Sequence, residues 1–131
     1  MTGYLCDTNI ISEVMKRNPS LRVEQWLSQQ PLVFISAITL EELQYGLTYK
    51  SALSQEQWLA SFLKTRCDII PVSNDIATQA GKWRGQFRQQ GLSRSQADML
   101  IAATAYQYGL TLVTRNIKDF QGCDILLLNP F

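Results

Sequence analysis

Short apolar runs alternate with stretches of helical spacing from one end of the chain to the other, and this alternation restricts the fold more than any single residue does. Gly3 to Cys6 reads as a buried strand, ended by Asp7-Thr8-Asn9, after which Ile10, Ile11, Val14 and Met15 follow helical spacing. Asn18-Pro19-Ser20 closes that helix, a second covers Leu21 to Gln29, and Pro31 precedes the apolar strand Leu32 to Ile35. Leu40, Leu43 and Leu47 form the stripe of a helix from Thr39 to about Lys50. Another helix is expected from Ser54, which forms a capping box with Gln57, to about Arg66. Cys67 to Val72 is the third strand, followed by helices from about Asn74 to Gln90, closed by Gly91, and from Ser95 to Tyr108, closed by Gly109. Leu110 to Thr114 is a β-rich strand, Asn116 to Phe120 a short helical turn, and Ile125 to Leu128 a last strand. Strands separated by helices imply an α/β fold with a mostly parallel sheet of about five strands, flanked by helices on both faces. A chain of 131 residues without repeat, linker or low-complexity tract is expected to form one domain over residues 1–131.

Composition narrows the chemistry. There is no histidine, so the usual imidazole base of a serine or cysteine nucleophile is missing. The three cysteines, Cys6, Cys67 and Cys123, have no CxxC spacing and read as buried free thiols rather than zinc ligands. No run reaches the roughly 18 apolar residues of a membrane span, and no signal peptide is visible, so a cytoplasmic protein is expected. Acids and a metal remain as the means of catalysis.

Four isolated acids, Asp7, Glu42, Asp98 and Asp119, fall where apolar runs meet helix starts. In an open α/β sheet the strand-to-helix loops converge beyond the carboxyl ends of the strands, which brings all four towards one crevice. Converging carboxylates repel one another, and a hard cation such as Mg2+ or Mn2+ relieves that repulsion through oxygen coordination. Helix capping offers a plainer account of three of them, since Thr39-x-x-Glu42, Ser95-x-x-Asp98 and Asn116-x-x-Asp119 all have a cap residue followed by an acid. Capping is not expected to explain Asp7, a charge directly after the apolar Tyr4-Leu5-Cys6.

Four blocks carry a family resemblance: Asp7-Thr8-Asn9-Ile10-Ile11-Ser12-Glu13; Ile35-Ser36-Ala37-Ile38-Thr39-Leu40-Glu41-Glu42-Leu43 with Gly46; Asp98-Met99-Leu100-Ile101-Ala102-Ala103-Thr104-Ala105; and Leu112-Val113-Thr114-Arg115-Asn116-Ile117-Lys118-Asp119-Phe120. In this order they resemble PIN-domain ribonucleases, and among them the VapC-type toxins of bacterial toxin-antitoxin modules. The resemblance implies a three-layer PIN-like fold and a Mg2+- or Mn2+-dependent endoribonuclease whose metal and catalytic acids are Asp7, Glu42, Asp98 and Asp119. It further implies that Thr114 and Asn116 hold Asp7 and the water from behind, and that Thr8 and Asn9 position the loop. Because position 116 is Asn, Asp119 is the implied source of the last carboxylate. Partners implied by the resemblance are a cognate antitoxin, an RNA substrate and a second copy of the chain in a homodimer.

The formal charge is +1, from 12 basic and 11 acidic residues, and setting aside four acids as ligands leaves 12 minus 7, or +5. Arg94, Arg115 and Lys118 lie close to the acids in sequence and are the expected RNA contacts, with Lys82, Arg84 and Arg88 on the preceding helix. Tyr45 with Tyr49, Trp58 with Phe62 and Trp83 with Phe87 are pairs one helical turn apart, a spacing that fits core filling better than base stacking. The leading reading is a toxin that cuts RNA, transfer RNA or another structured loop, and so inhibits translation and growth. A catalytically silent PIN module that binds RNA or protein is the alternative. A haloacid dehalogenase-like phosphatase needs a second aspartate where this chain has Asn9, and a receiver domain needs one at the end of a third strand that offers only Ile69-Ile70-Pro71-Val72.

Overall fold

The computed structural model describes residues 3–131. Strands β1 (Tyr4–Cys6), β2 (Val33–Ser36), β3 (Cys67–Ile70), β4 (Thr111–Val113) and β5 (Leu127–Leu128) form one sheet in the order β3-β2-β1-β4-β5, and every neighbouring pair is parallel. Helices α1 (Thr8–Val14), α2 (Leu21–Ser28), α3 (Ala37–Lys50), α4 (Leu53–Thr65), α5 (Asn74–Gln89) and α6 (Gln96–Tyr108), with a 3-10 turn at Ile117–Phe120, supply the connections. No helix among the described residues is long and apolar enough to cross a membrane.

The period of two along each strand divides the core into two layers. Leu5 and Leu112 point to one face and pack with Ile76, Trp83 and Phe87 of α5 and with Met99 and Ile101 of α6. Cys6 and Val113 point to the other and pack with Ile10, Ile11, Val23, Leu43, Leu59 and Phe62 of α1 to α4. Leu5, Ile10, Ile11, Ile76 and Leu112 have no exposed surface, and each contributes on the order of 1.5–3 kcal/mol through burial. Both α5 and α6 end as their glycines demand: Gly91 (φ +81°) and Gly109 (φ +62°) adopt the left-handed conformation, and Leu92 N–H and Leu110 N–H reach back to the carbonyls of Phe87 and Ala105.

Two capping expectations fail. Ser36, not Thr39, caps α3, its Oγ accepting from Ile38 N at 3.0 Å, so α3 begins one turn earlier than the Leu40 stripe indicates. Ala52, not Ser54, holds the N-cap position of α4 and makes no side-chain bond there. The third strand stops at Ile70, before Pro71, which has no N–H to give the ladder.

The order β3-β2-β1-β4-β5 places the switch of chain direction between β1 and β4. Asp7 N–H bonds to Val113 O at 2.9 Å across that junction, so the residues following both strands share one crevice.

Candidate active site

Asp7 follows β1 and is also the N-cap of α1, its Oδ1 accepting from Thr8 N at 2.7 Å. Capping therefore does explain part of Asp7, contrary to the expectation from sequence. Its other oxygen accepts from Thr114 Oγ1 at 2.8 Å and from Asn9 Nδ2 at 3.1 Å. Thr114 is wholly buried after β4 and takes an N–H from Asn116 at 3.0 Å, while Asn9 Oδ1 accepts from Arg115 N at 3.2 Å. These bonds tie the loops after β1 and β4 into one frame.

Glu42 stands two turns into α3, well away from the Ser36 cap, so capping does not account for it. Its Oε1 accepts a 2.6 Å hydrogen bond from Thr8 Oγ1, which also lies 3.2 Å from Thr39 Oγ1. Asp98 does sit in the first turn of α6, where its N–H donates to the Ser95 hydroxyl at 3.0 Å. Asp7, Glu42 and Asp98, with Thr8, Asn9, Arg115 and Asn116, line one cleft of about 380 Å3.

Asp119 does not line that cleft; it is exposed on the 3-10 turn, near enough to Asp98 to disfavour its charge. Asn116 reaches Thr114 through its main-chain N–H, with no cap bond from its side chain. Arg94, an expected RNA contact, donates through its guanidinium to the carbonyls of Asp119 and Gln121 and lies 4.3 Å from the centre of the Phe87 ring. It pins the segment carrying Asp119 to α5. Arg115 does border the cleft, its guanidinium over the Phe131 ring at 4.6 Å, and Lys118 is exposed on the 3-10 turn.

Electrostatics single out the same acids. Burial pushes the Asp7 carboxyl up to about 6, against which the Thr114 and Thr8 bonds pull, while Asp98 and Glu42 add repulsion. Asp98 is also raised, first by burial and then by the charges of Asp119 and Glu42, which outlast the relief from Ser95 and Arg94. A cavity floored by crowded carboxylates, two of them reluctant to ionise, is one that a hard cation stabilises. Among the described residues no three His, Cys, Asp or Glu side chains close into a cage.

Sequence reasoning missed Glu13, Lys16 and Ser20. Glu13 is buried and its two oxygens accept from Lys16 Nζ and Ser20 N, both at 2.9 Å; Lys16 donation is the main cause that holds its carboxyl below the usual range. Glu13 and Lys16 line the same cavity as Asp98. Their i, i+3 spacing on α1 and the turn that follows was the one available signal. The aromatic pairs divide: Trp83 and Phe87 are buried, whereas Tyr45 and Tyr49 stack with 68% and 80% of their surfaces exposed. All three cysteines are free and buried, as expected.

The PIN domain model matches residues 4–123. The chain is 34% identical to toxin FitB of Neisseria gonorrhoeae, over 97% of each chain. It is 33% identical to ribonuclease VapC2 of Rickettsia felis, over 95% of each. Among solved structures, a toxin-antitoxin complex from Klebsiella pneumoniae contains a chain that superposes with a TM-score of 0.79 at 32% identity, covering 98% of both chains.

Proposed function

The chain belongs to the PIN-domain family, and from that premise we propose that it is the ribonuclease toxin of a toxin-antitoxin module, a Mg2+- or Mn2+-dependent endoribonuclease. The observation that carries this reading is the meeting of Asp7, Glu42 and Asp98 in one cleft at the switch point of the sheet. The oxygen-only donor set and the raised carboxyls of Asp7 and Asp98 fit a hard divalent cation. When bound, such a cation supplies the positive charge that activates water and offsets charge building on the phosphate oxygens.

The protein groups do the rest. Thr114, Asn9 and the Thr8 N–H fix both oxygens of Asp7, and the Thr8 hydroxyl fixes Glu42, so the ligands are held before substrate arrives. One of the cleft carboxylates takes the proton of the attacking water. The water oxygen bonds to phosphorus, the bond to the 3'-oxygen breaks, and the 3'-oxygen leaves as a hydroxyl after taking a proton from solvent. The products carry a 5'-phosphate and a 3'-hydroxyl. Asp119 acts from the rim, through Asp98, rather than from the cleft floor.

The substrate in this reading is a transfer RNA or another structured RNA loop in the cytoplasm, and cutting it arrests translation. The named toxin and the toxin-antitoxin complex among the similar proteins support a cognate antitoxin as partner. A trough of about 670 Å3 along α3, lined by Leu40 and the exposed Tyr45 and Tyr49, offers apolar surface for a protein partner. We also expect the chain to form a homodimer.

The test is incubation of the purified protein, freed of antitoxin, with total RNA in Mg2+ or Mn2+ and in EDTA, with mapping of the new 5' ends. Discrete cuts that need the cation and vanish in Asp98→Asn support the reading. Intact RNA with folded, cation-loaded protein overturns it in favour of a silent binding module.

A further inference from the structure

One face of α5 carries Gly81, Arg84, Gly85 and Arg88, at the i, i+3, i+4, i+7 spacing that puts all four on one side of the helix. All four are exposed, while the opposite face buries Ile76, Ala80, Trp83 and Phe87. With Ser93 and Arg94 from the following loop, this face encloses a second cavity of about 300 Å3. Three arginines border it and no acid does, the Arg94 guanidinium being already bonded to the carbonyls of Asp119 and Gln121. Arg84 and Arg88 make no ion pair, the one salt bridge among the described residues being Lys16 with Glu13.

The two glycines make the face informative. Glycine in mid-helix weakens a helix relative to alanine, and a Cβ added at Gly81 or Gly85 would meet nothing within 4 Å. Neither packing nor backbone conformation requires them, since neither has a positive φ. What their missing side chains provide is an open floor between the arginines.

We propose that this groove is a second binding site, for the phosphate backbone of single-stranded RNA leading away from the acidic cleft. Arg94 joins the two sites: it borders the groove, holds the main chain of Asp119 and Gln121, and favours the charge of Asp98. Guanidinium forks suit phosphate oxygens, and the glycine floor lets a backbone lie close to the helix. A second copy of the chain seated face to face would set arginine against arginine, which disfavours it. The inference rests on the ribonuclease reading for the direction of the strand, not for the existence of the groove.

The experiment measures binding of a fluorescein-labelled single-stranded RNA oligonucleotide to the full chain in EDTA, by anisotropy over a series of salt concentrations. Arg84→Ala with Arg88→Ala should weaken binding roughly tenfold or more, and should reduce the salt slope by roughly 1.4, two phosphate contacts at about 0.7 each. Gly81→Ala should raise the Tm, and Gly85→Leu, which fills the floor, should weaken RNA binding without lowering the Tm. Unchanged affinity and slope in the arginine pair overturn the proposal. So does a Gly85→Leu variant that keeps its RNA affinity but changes its oligomeric state in sedimentation, which assigns the face to a second copy. Cleavage of total RNA by the unaltered protein in Mg2+, read in parallel, separates the two claims: cutting with unchanged binding removes the groove alone, whereas absent cutting with salt-dependent binding removes the nuclease and leaves the groove.

Discussion

Thr114 Oγ1 donates a 2.8 Å hydrogen bond to Asp7 Oδ2, joining the ends of β4 and β1 across 107 residues of sequence. The hydroxyl also accepts from Asn116 N, so one buried oxygen orients a candidate metal ligand and satisfies a loop amide. Thr114→Val keeps the shape and removes both bonds, together with a longer one of 3.5 Å from Asn9 Nδ2. The expected result is a loss of about 1 kcal/mol of stability for each hydrogen bond removed, and roughly 10- to 100-fold weaker Mn2+ binding. Thr114→Ser should retain most of both. Thermal denaturation and calorimetric Mn2+ titration check this, and an unchanged Mn2+ affinity in the valine variant would show that Thr114 does not orient Asp7.

Asp7 gives a pH dependence whose sign is fixed by its direction of shift. Its carboxyl is raised from 3.8 to about 6 in the folded chain, chiefly by burial. The folded state therefore binds more protons than the unfolded state between those values, and stability falls as pH rises through that window. About two pKa units correspond to roughly 3 kcal/mol, fully lost above the folded value. Asp98 shifts in the same direction. In EDTA the Tm should fall from about pH 4 to about pH 7, and Mg2+ should add more to the Tm at the higher pH, where the carboxylates are charged. An Mg2+ increment that is equal at both ends of the range would argue against these acids as its ligands.

The sheet and its helices were legible because buried parallel strands are short continuous apolar runs and helices show 3.6-residue spacing, both local signals. Ser36 was missed as a cap because Thr39-x-x-Glu42 mimics a capping box one turn later, and only the structure shows the Thr39 hydroxyl beside Thr8 instead. That displacement matters, since it removes the plain explanation for Glu42 and leaves the cleft as its reason to be acidic. Asp119 was drawn into the cleft by its sequence position, yet the 3-10 turn leaves it on the rim. Arg94 and one half of the Glu13 site were illegible for a shared reason. Asp119 O and Ser20 N are main-chain groups 25 and 7 residues away, and no residue type in a sequence announces a bond to a carbonyl or an amide; the pairing of Glu13 with Lys16 was the half that spacing could have shown.

Arg94 supports a prediction of its own. Its fork donates to two carbonyls, of Asp119 and Gln121, while its plane covers Phe87. Arg94→Lys keeps the charge but not the fork or the stacking plane. Stability should fall by about 1–2 kcal/mol, and RNA cleavage should fall further than RNA binding, because the segment holding Asp119 loosens while a cation remains. Comparing kcat with KM for a short RNA substrate tests this. A variant whose KM alone rises would make Arg94 a plain RNA contact.

Glu13 separates charge from shape among the residues lining the cleft. Its carboxylate is buried between Lys16 Nζ and Ser20 N, and it is held below the usual carboxylate range of 4.5 mainly by Lys16. Glu13→Ala leaves the Ser20 amide without its acceptor and should cost about 1–3 kcal/mol. Lys16→Ala should cost no more than about 1 kcal/mol, because the lysine is more than half exposed. Glu13→Gln keeps an acceptor for Ser20 and removes only the charge. Since the folded carboxyl is the stronger acid, its contribution is present above the unfolded value and is lost as pH falls through the folded one. The stability gap between the unaltered chain and Glu13→Gln, measured by urea denaturation, should therefore be open near neutral pH and narrow as the pH falls below the unfolded carboxylate value. A gap that persists undiminished in acid would mean that the glutamate stabilises the turn through its fit rather than its charge.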